Sequence, residues 1–349
     1  MKPIVKSEQV YEKITRKKIF FIILAVLSIV LLFLTDIMTG PAMLPMKDVV
    51  IAILQPKNAT DFVHTIVWTF RLPIAIMALL IGSTLAIAGA EMQTILNNPL
   101  ASPYTLGISS AASFGAAIAI ILGIGKLPLI GQVGISFSAF IFALLAMLCI
   151  YGIAKFRKGT TQILILTGVA LSFLFNSAVA FMQYIASEEQ LQSIVFWMFG
   201  SLQGATWQKL GIISTVMVVG IPFFIINAWK LTALRLGDIR AQSLGINVQS
   251  LRLNSLVFVS ILTATAVCFT GTIAFIGLVG PHLARFLVGE DQRFFLPMSG
   301  LLGAILLSVA SILSKLIIHG GMLPIGITTS LFGVPFFIIM ILSKKREYW

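Results

Sequence analysis

The sequence predicts an all-helical protein that crosses a membrane about ten times. Three observations lead there. Of its 349 residues, 58% are hydrophobic and only 10% charged. The apolar residues gather into runs of span length, and the cations collect at the ends of alternate runs. A soluble domain needs more charge than this to cover its surface, whereas a bilayer-crossing helix needs about 20 apolar residues.

The runs lie near 19–39, 70–96, 104–124, 133–154, 162–185, 208–228, 253–271, 273–288, 294–317 and 325–343. The first begins only after Arg16-Lys17-Lys18 and lacks a small-residue cleavage site. It reads as a retained span and not as a removable signal. Residues 1–18 and 344–349 are then cytoplasmic tails flanking one membrane domain over 19–343. The second and third runs crowd small residues (Gly82-Ser83-Thr84, Ala86 to Ala90, Gly107 to Gly115), which let helices approach closely in lipid. The fifth run follows the turn Gly159-Thr160-Thr161-Gln162. Before the sixth, Ile194 to Phe199 reads as a short helix lying at the outer face. The eighth run is short and carries Gly277, Gly280 and Pro281. The fifth and tenth each contain a Gly-Val pair (Gly168-Val169, Gly333-Val334) closely followed by aromatics. Offset by five spans, that echo is what an inverted repeat would leave.

Charge sets the orientation. With the N-terminus inside, only Lys47, Lys57, Arg71, Lys126, Lys209 and Lys315 of the 24 Lys and Arg fall outside. Such asymmetry follows the positive-inside rule and places both termini in the cytoplasm. The net charge of +12 forms no basic stripe with interleaved aromatics, so it does not indicate nucleic acid.

Several engines are missing. No G-x-x-x-x-G-K-[ST] loop is present, since Gly125-Lys126 is followed by Leu127, so the chain holds no phosphate loop of that kind. His64, His282 and His319 are scattered, and Cys149 and Cys268 lie in different runs. Neither set has the spacing of a metal site or a disulfide framework. Ionisable residues within the runs would mark an ion relay. Here they reduce to Asp36 and Lys315 near span ends and Glu91 near the inner end of the second span. An ion-coupled carrier is the rival class, and it lacks its acidic chain.

The loop from Lys230 to Val248 is too polar for lipid and too long for a tight turn. Leu236, Ile239 and Ser243-Leu244 fall near one helical face, with Gly237 and Gly245 as punctuation. The pattern predicts two short helices broken at a glycine, with an apolar face that wants a partner.

Ordered stretches then carry a resemblance. They are Arg71-Leu72-Pro73; Ala88-Gly89-Ala90-Glu91-Met92-Gln93 with Asn98-Pro99-Leu100-Ala101-Ser102-Pro103 and Leu106-Gly107; Gly168 to Leu171; Asp238 to Val248; Phe275 to Arg285; and Leu323-Pro324-Ile325-Gly326 with Gly333-Val334-Pro335. Over about residues 65–343 the chain resembles the iron-siderophore, haem and vitamin B12 permease family (FecCD-type) of binding-protein-dependent ABC importers.

The resemblance implies a type II importer permease in a bacterial cytoplasmic membrane, with ten helices per subunit and inverted-repeat character. It implies a homodimer or pseudo-dimer with the pathway on its axis. Two ATPase subunits would dock on the coupling loop 230–250, at Gly237, Asp238, Ala241, Ser243, Leu244 and Gly245. ATP and magnesium would be held by those partners, with no cofactor, metal or catalytic residue in this chain. A periplasmic or lipoprotein substrate-binding protein would meet Arg71 and Lys315, although the second arginine of the family's Arg-Leu-Pro-Arg is Ile74 here. Thr160, Thr161 and Gln162 match the cytoplasmic gate. Glu91 stands where the family motif is usually apolar. The cargo implied is a ferric siderophore or related iron chelate, with haem, cobalamin and oxyanions open within the family.

Overall fold

The structure is a computed structural model that describes residues 3–41, 44–127, 131–156, 160–318 and 320–343. Lys2, Arg157, Lys158, Gly159, His319 and the tail from Lys344 lie outside the described residues. Among the described residues all regular structure is helical. The chain opens with α1 (Pro3–Met38), α2 (Met46–Leu54) and α3 (Asp61–Thr65). Helix α3 runs through a π-helical stretch (Ile66–Arg71) into α4 (Leu72–Ile95). Pro73 has no N–H for the preceding turn, and just ahead of it the ladder widens, with Leu72 N–H donating five residues back to Val67 O. There follow α5 (Ile108–Ile121), α6 (Gly131–Phe156), α7 (Thr161–Ile185), α8 (Glu188–Phe199) and α9 (Trp207–Ile226). Two short helices, α10 (Ala228–Leu234) and α11 (Asp238–Ser243), precede α12 (Val248–Thr270), α13 (Ile276–Val288), α14 (Gln292–Ile317) and α15 (Ile325–Ser343).

Each of the ten apolar runs is a helix, but they are not ten equal spans. Among the described residues seven helices are long and apolar enough to cross a membrane, while 108–121 and 276–288 form shorter apolar ones and α15 is 19 residues long. Helices α5 and α13 are shortened from their N-terminal sides, where the chain enters them through irregular backbone, much of it buried. Such backbone is tolerated at membrane depth when protein surrounds it. From Pro3 the expected 1–18 tail is helical and continuous with the first span.

Helix α4 is the axis of the fold and packs against α12, α13 and α14. Two crossings depend on glycine. A Cβ on Gly82 would overlap the Gly303 backbone of α14, and one on Gly89 would overlap the Gly277 carbonyl of α13. Small residues thus bring backbones together where lipid offers no hydrophobic drive. Helix α1 lies along α14, and α5 sits between α6 and α7.

The repeat echo has a structural counterpart. The turn into α5 passes through Gly107 at φ +77°, and Leu106 packs on Gly168 of α7. The turn into α13 passes through Phe275 at φ +69°, and its side chain packs on Gly333 of α15. In both halves a short helix begins at a left-handed residue seated beside a glycine of the helix two spans later.

Helices α9 and α12 separate two ends of the bundle. At one end, α8 leads into a crossing of three irregular segments. Thr272 Oγ1 donates to Met198 O, Ser201 N to Thr270 O, and Ile325 N to Gly200 O. A Cβ on Gly326 would meet both the Phe199 and Thr272 carbonyls. The opposite end holds α10 and α11. The N-terminal half of α1 is at that end too, since Lys18 lies 4.8 Å over the ring of Phe294, in the first turn of α14.

Candidate functional site

The segment between α9 and α12 folds as its pattern predicts, with α10 and α11 separated by Gly237 at φ +98° and α11 closed by Gly245 at φ +80°. Glycine is favoured at both for want of a Cβ. Ala228, Leu231, Ala233, Leu234 and Ala241 face the bundle and are buried. Leu236, Ile239 and Leu244 point away, exposed by 56%, 84% and 50%. Asp238, Ser243 and Gly245 are exposed as well, so five of the six predicted residues form or flank one outward surface, and Ala241 alone is its buried footing.

Asp238 does more than face outward. Both its oxygens accept from Arg252 of α12, at 2.8 and 3.2 Å. Arg252 is itself buried and donates through Nε to Ile95 O at 2.7 Å. A fork of this kind is among the stronger ion pairs. It ties the first turn of α11 to the last turn of α4. A second tie runs from Arg235 to Glu290, in the turn between α13 and α14, where Arg285 Nε also reaches the Glu290 carboxylate at 3.0 Å. Arg285 donates onward to Gln93 Oε1 at 2.9 Å. Gln292 Nε2 donates to Thr94 Oγ1 at 2.7 Å, and Thr232 Oγ1 accepts from Gln292 N at 3.1 Å. The outward surface is therefore wired to the C-terminal turns of α4 through α12 on one side and through α13 and α14 on the other. These links pair residues far apart in sequence, which no local pattern announces.

Glu91, on α4 next to this network, is fully buried and neither carboxyl oxygen has a hydrogen bond. Arg235 Nε and Nη1 and Gln93 Nε2 are likewise buried without partners. An unsatisfied buried group costs about 1–3 kcal/mol, more when charged.

Thr160, Thr161 and Gln162, the expected gate, sit at the same end. Thr160 and Gln162 are exposed and Thr161 is half-buried, at the start of α7. Thr160 takes the N-cap position, but its side chain makes no capping bond. At the α8 end an open cleft of about 510 Å³ is lined by Tyr104, Met198, Phe199, Thr272, Gly326 and Ser330 among others, with no charged side chain. The adjoining faces of α7 and α15 are uncovered, with Phe173 71% and Leu331 58% exposed.

The expected docking cations lie elsewhere. Arg71 is buried, donating through Nη1 to Ile37 O and Met38 O at 3.0 and 3.1 Å. Lys315 is buried too, with Nζ 2.7 Å from Asp36 Oδ1, and Ser311 Oγ donates to the same carboxylate at 3.0 Å. In this structure both close the end of α1 onto α4 and α14 instead of presenting charge outward. The reason is Asp36 and the last α1 carbonyls, which need donors inside the bundle. Lys47 and Lys57 are the exposed cations on the segment between α1 and α4.

Known proteins share this architecture. A profile of the FecCD transport family matches residues 27–343. An ABC transporter permease protein of Methanocaldococcus jannaschii is 39% identical over 97% of this chain and 99% of its own. The hemin transport system permease protein HmuU of Yersinia pestis is 33% identical over 92% and 96%. The iron(3+)-hydroxamate import system permease protein FhuB of Bacillus subtilis is 36% identical over 81% and 73%. Among solved structures, an inward-facing conformation of a metal-chelate type ABC transporter superposes with a TM-score of 0.81 at 28% identity, over 93% of this chain and 99% of that one.

Proposed function

We propose, from the premise that this chain belongs to the FecCD transport family, that it carries a ferric siderophore or related iron chelate across a cytoplasmic membrane. As an ABC importer permease it is a transport subunit, and its family implies an ATPase and a substrate-binding protein as partners. The observation that carries the reading is the outward surface of α10 and α11. Its apolar side chains Leu236, Ile239 and Leu244 are exposed while the segment beneath them is ion-paired to the core helices. That is the form expected of a docking site that must pass on a push.

In this reading the α10–α11 end is cytoplasmic, in keeping with its cations. Two copies meet across the uncovered faces of α7 and α15, and Thr160, Thr161 and Gln162 narrow the inner mouth. The binding protein lands on the α8 end, steered by exposed Lys47 and Lys57. A cleft of hydroxyl, aromatic and aliphatic groups with no cation suits a large chelate whose charge is already neutralised, and disfavours an oxyanion. The hemin permease among the relatives favours haem as the second reading.

Vesicles containing this chain, its partner ATPase and its binding protein test the assignment. Ferric hydroxamate should accumulate inside only when ATP is present on the ATPase side. Uptake that persists without ATP or without the ATPase sinks the importer mechanism. ATP-driven uptake of haem or cobalamin with none of ferric hydroxamate replaces the cargo.

A further inference from the structure

Resting on the reading of α10 and α11 as the coupling segment, we propose that Glu91 is a second seat for Arg235. When the segment moves, the guanidinium leaves Glu290 for Glu91, and that exchange passes the movement to α4.

Four observations carry this. Arg235 uses Nη2 on Glu290, while its Nε and Nη1 are buried with no acceptor. Glu91 is fully buried with two oxygens and no donor, and Arg235 is the charge that bears on it. Unmet donors on one side and unmet acceptors on the other are complementary. A buried polar group left open in one conformation is most simply explained by a conformation that closes it.

Departure also leaves Glu290 a counter-charge. Glu290 keeps Arg285, whose Nε lies 3.0 Å from the same oxygen. Asp238 keeps Arg252, so α11 remains anchored to α12 while α10 shifts. The ionisable groups in this cluster are Arg235, Arg252 and Arg285 with Asp238, Glu290 and Glu91, all supplied by this chain.

Glu91 is also well placed to transmit. Two residues before it, Gly89 is locked against Gly277 of α13, and two residues after it Gln93 accepts from Arg285. A pull on the Glu91 carboxylate therefore acts on a helix that cannot slide independently of α13. Partner exchange of this kind gives a packed interface two discrete arrangements, which is what conveys motion over distance.

The test uses the assembled complex in lipid nanodiscs, reading phosphate release with and without the binding protein. Glu91→Gln, Arg235→Gln and the double variant form a cycle. Each single should lower the stimulated turnover by about tenfold, and the double should be no slower than the slower single, because the Glu91–Arg235 contact is lost in all three. Glu91→Gln should meanwhile keep or raise the thermal midpoint of the purified chain, since it removes an unpaired buried carboxyl. A purely structural Glu91 would lose stability and turnover together. Stimulation within about twofold of wild type for Glu91→Gln, or losses that multiply in the double, overturns the exchange. Wild-type turnover indifferent to the binding protein would instead sink the coupling reading itself, and this proposal with it.

Discussion

At the residue scale, the buried ion pairs separate fold from function. Lys315 and Asp36 are both inside the bundle, so removing one leaves the other without its counter-charge. Lys315→Met should destabilise the chain by about 3–5 kcal/mol. Pairing it with Asp36→Leu should recover most of that loss, read as the midpoint of unfolding in mixed micelles. Lys57→Glu, on an exposed side chain, should leave that midpoint unchanged and slow association with the binding protein severalfold at low salt. Asp238→Asn weakens a fork onto a buried arginine and should lower stability by about 1–3 kcal/mol. Asp36 and Lys315 could each be seen near a span end in the sequence. That they face one another could not, because 279 residues separate them.

Helices raise a different set of questions. Gly245 sits at φ +80°, a value proline cannot adopt, and Leu244 is half exposed on the outward surface. Gly245→Pro and Leu244→Asp should each abolish stimulated ATP hydrolysis by the partner while the chain still inserts and folds. Normal copurification and turnover of the ATPase with either variant would remove α11 from the docking surface. At the head of α14, Asp291 accepts from the Arg293 backbone N–H and pairs with its guanidinium. The hydrogen bonds from the Arg293 guanidinium, more than the one from its backbone, hold the Asp291 carboxyl below its ordinary value. Its stabilisation is thus full above the usual carboxylate range near about 4 and is lost as pH falls through the lowered value. Asp291→Ala should cost about 0.5–2 kcal/mol at neutral pH and progressively less in acid, in the same micelle assay. The helices themselves were legible because apolar runs of span length have few other uses. The beginnings of α5 and α13 were not. The irregular segments leading into them are largely buried and much of their composition matches the spans, so composition alone could not mark where the helix starts. The two-helix segment α10–α11 was readable because glycine punctuates it.

For the molecule as a whole, the uncovered faces matter most. Helices α7 and α15 present large apolar side chains on the side that carries the cleft, including Phe173 and Leu331. The proposed pairing sets a second permease against them. Native mass spectrometry of the assembly should find two copies of the 37.8 kDa chain, and Phe173→Arg should reduce that to one. A single copy in the wild-type complex would refute the paired arrangement. Positive charge told the sequence reader which loops belong together, and the structure collects the α10–α11 segment and the basic part of α1 at one end. The site was legible as a surface and illegible as a mechanism. Its exposed residues follow a local helical pattern, whereas its wiring joins α4, α10, α12 and the α13–α14 turn through side chains that no periodicity connects.

The Asp36–Lys315 pair also sets an order of events during synthesis. A ribosome adding about 5–20 residues each second needs on the order of half a minute to travel the 279 residues between them. For that time the first helix is in the membrane with an acidic group that has no counter-charge. A nascent chain stopped before α14 should stay bound to insertion factors and be short-lived, and α1 should become resistant to extraction only as Lys315 emerges.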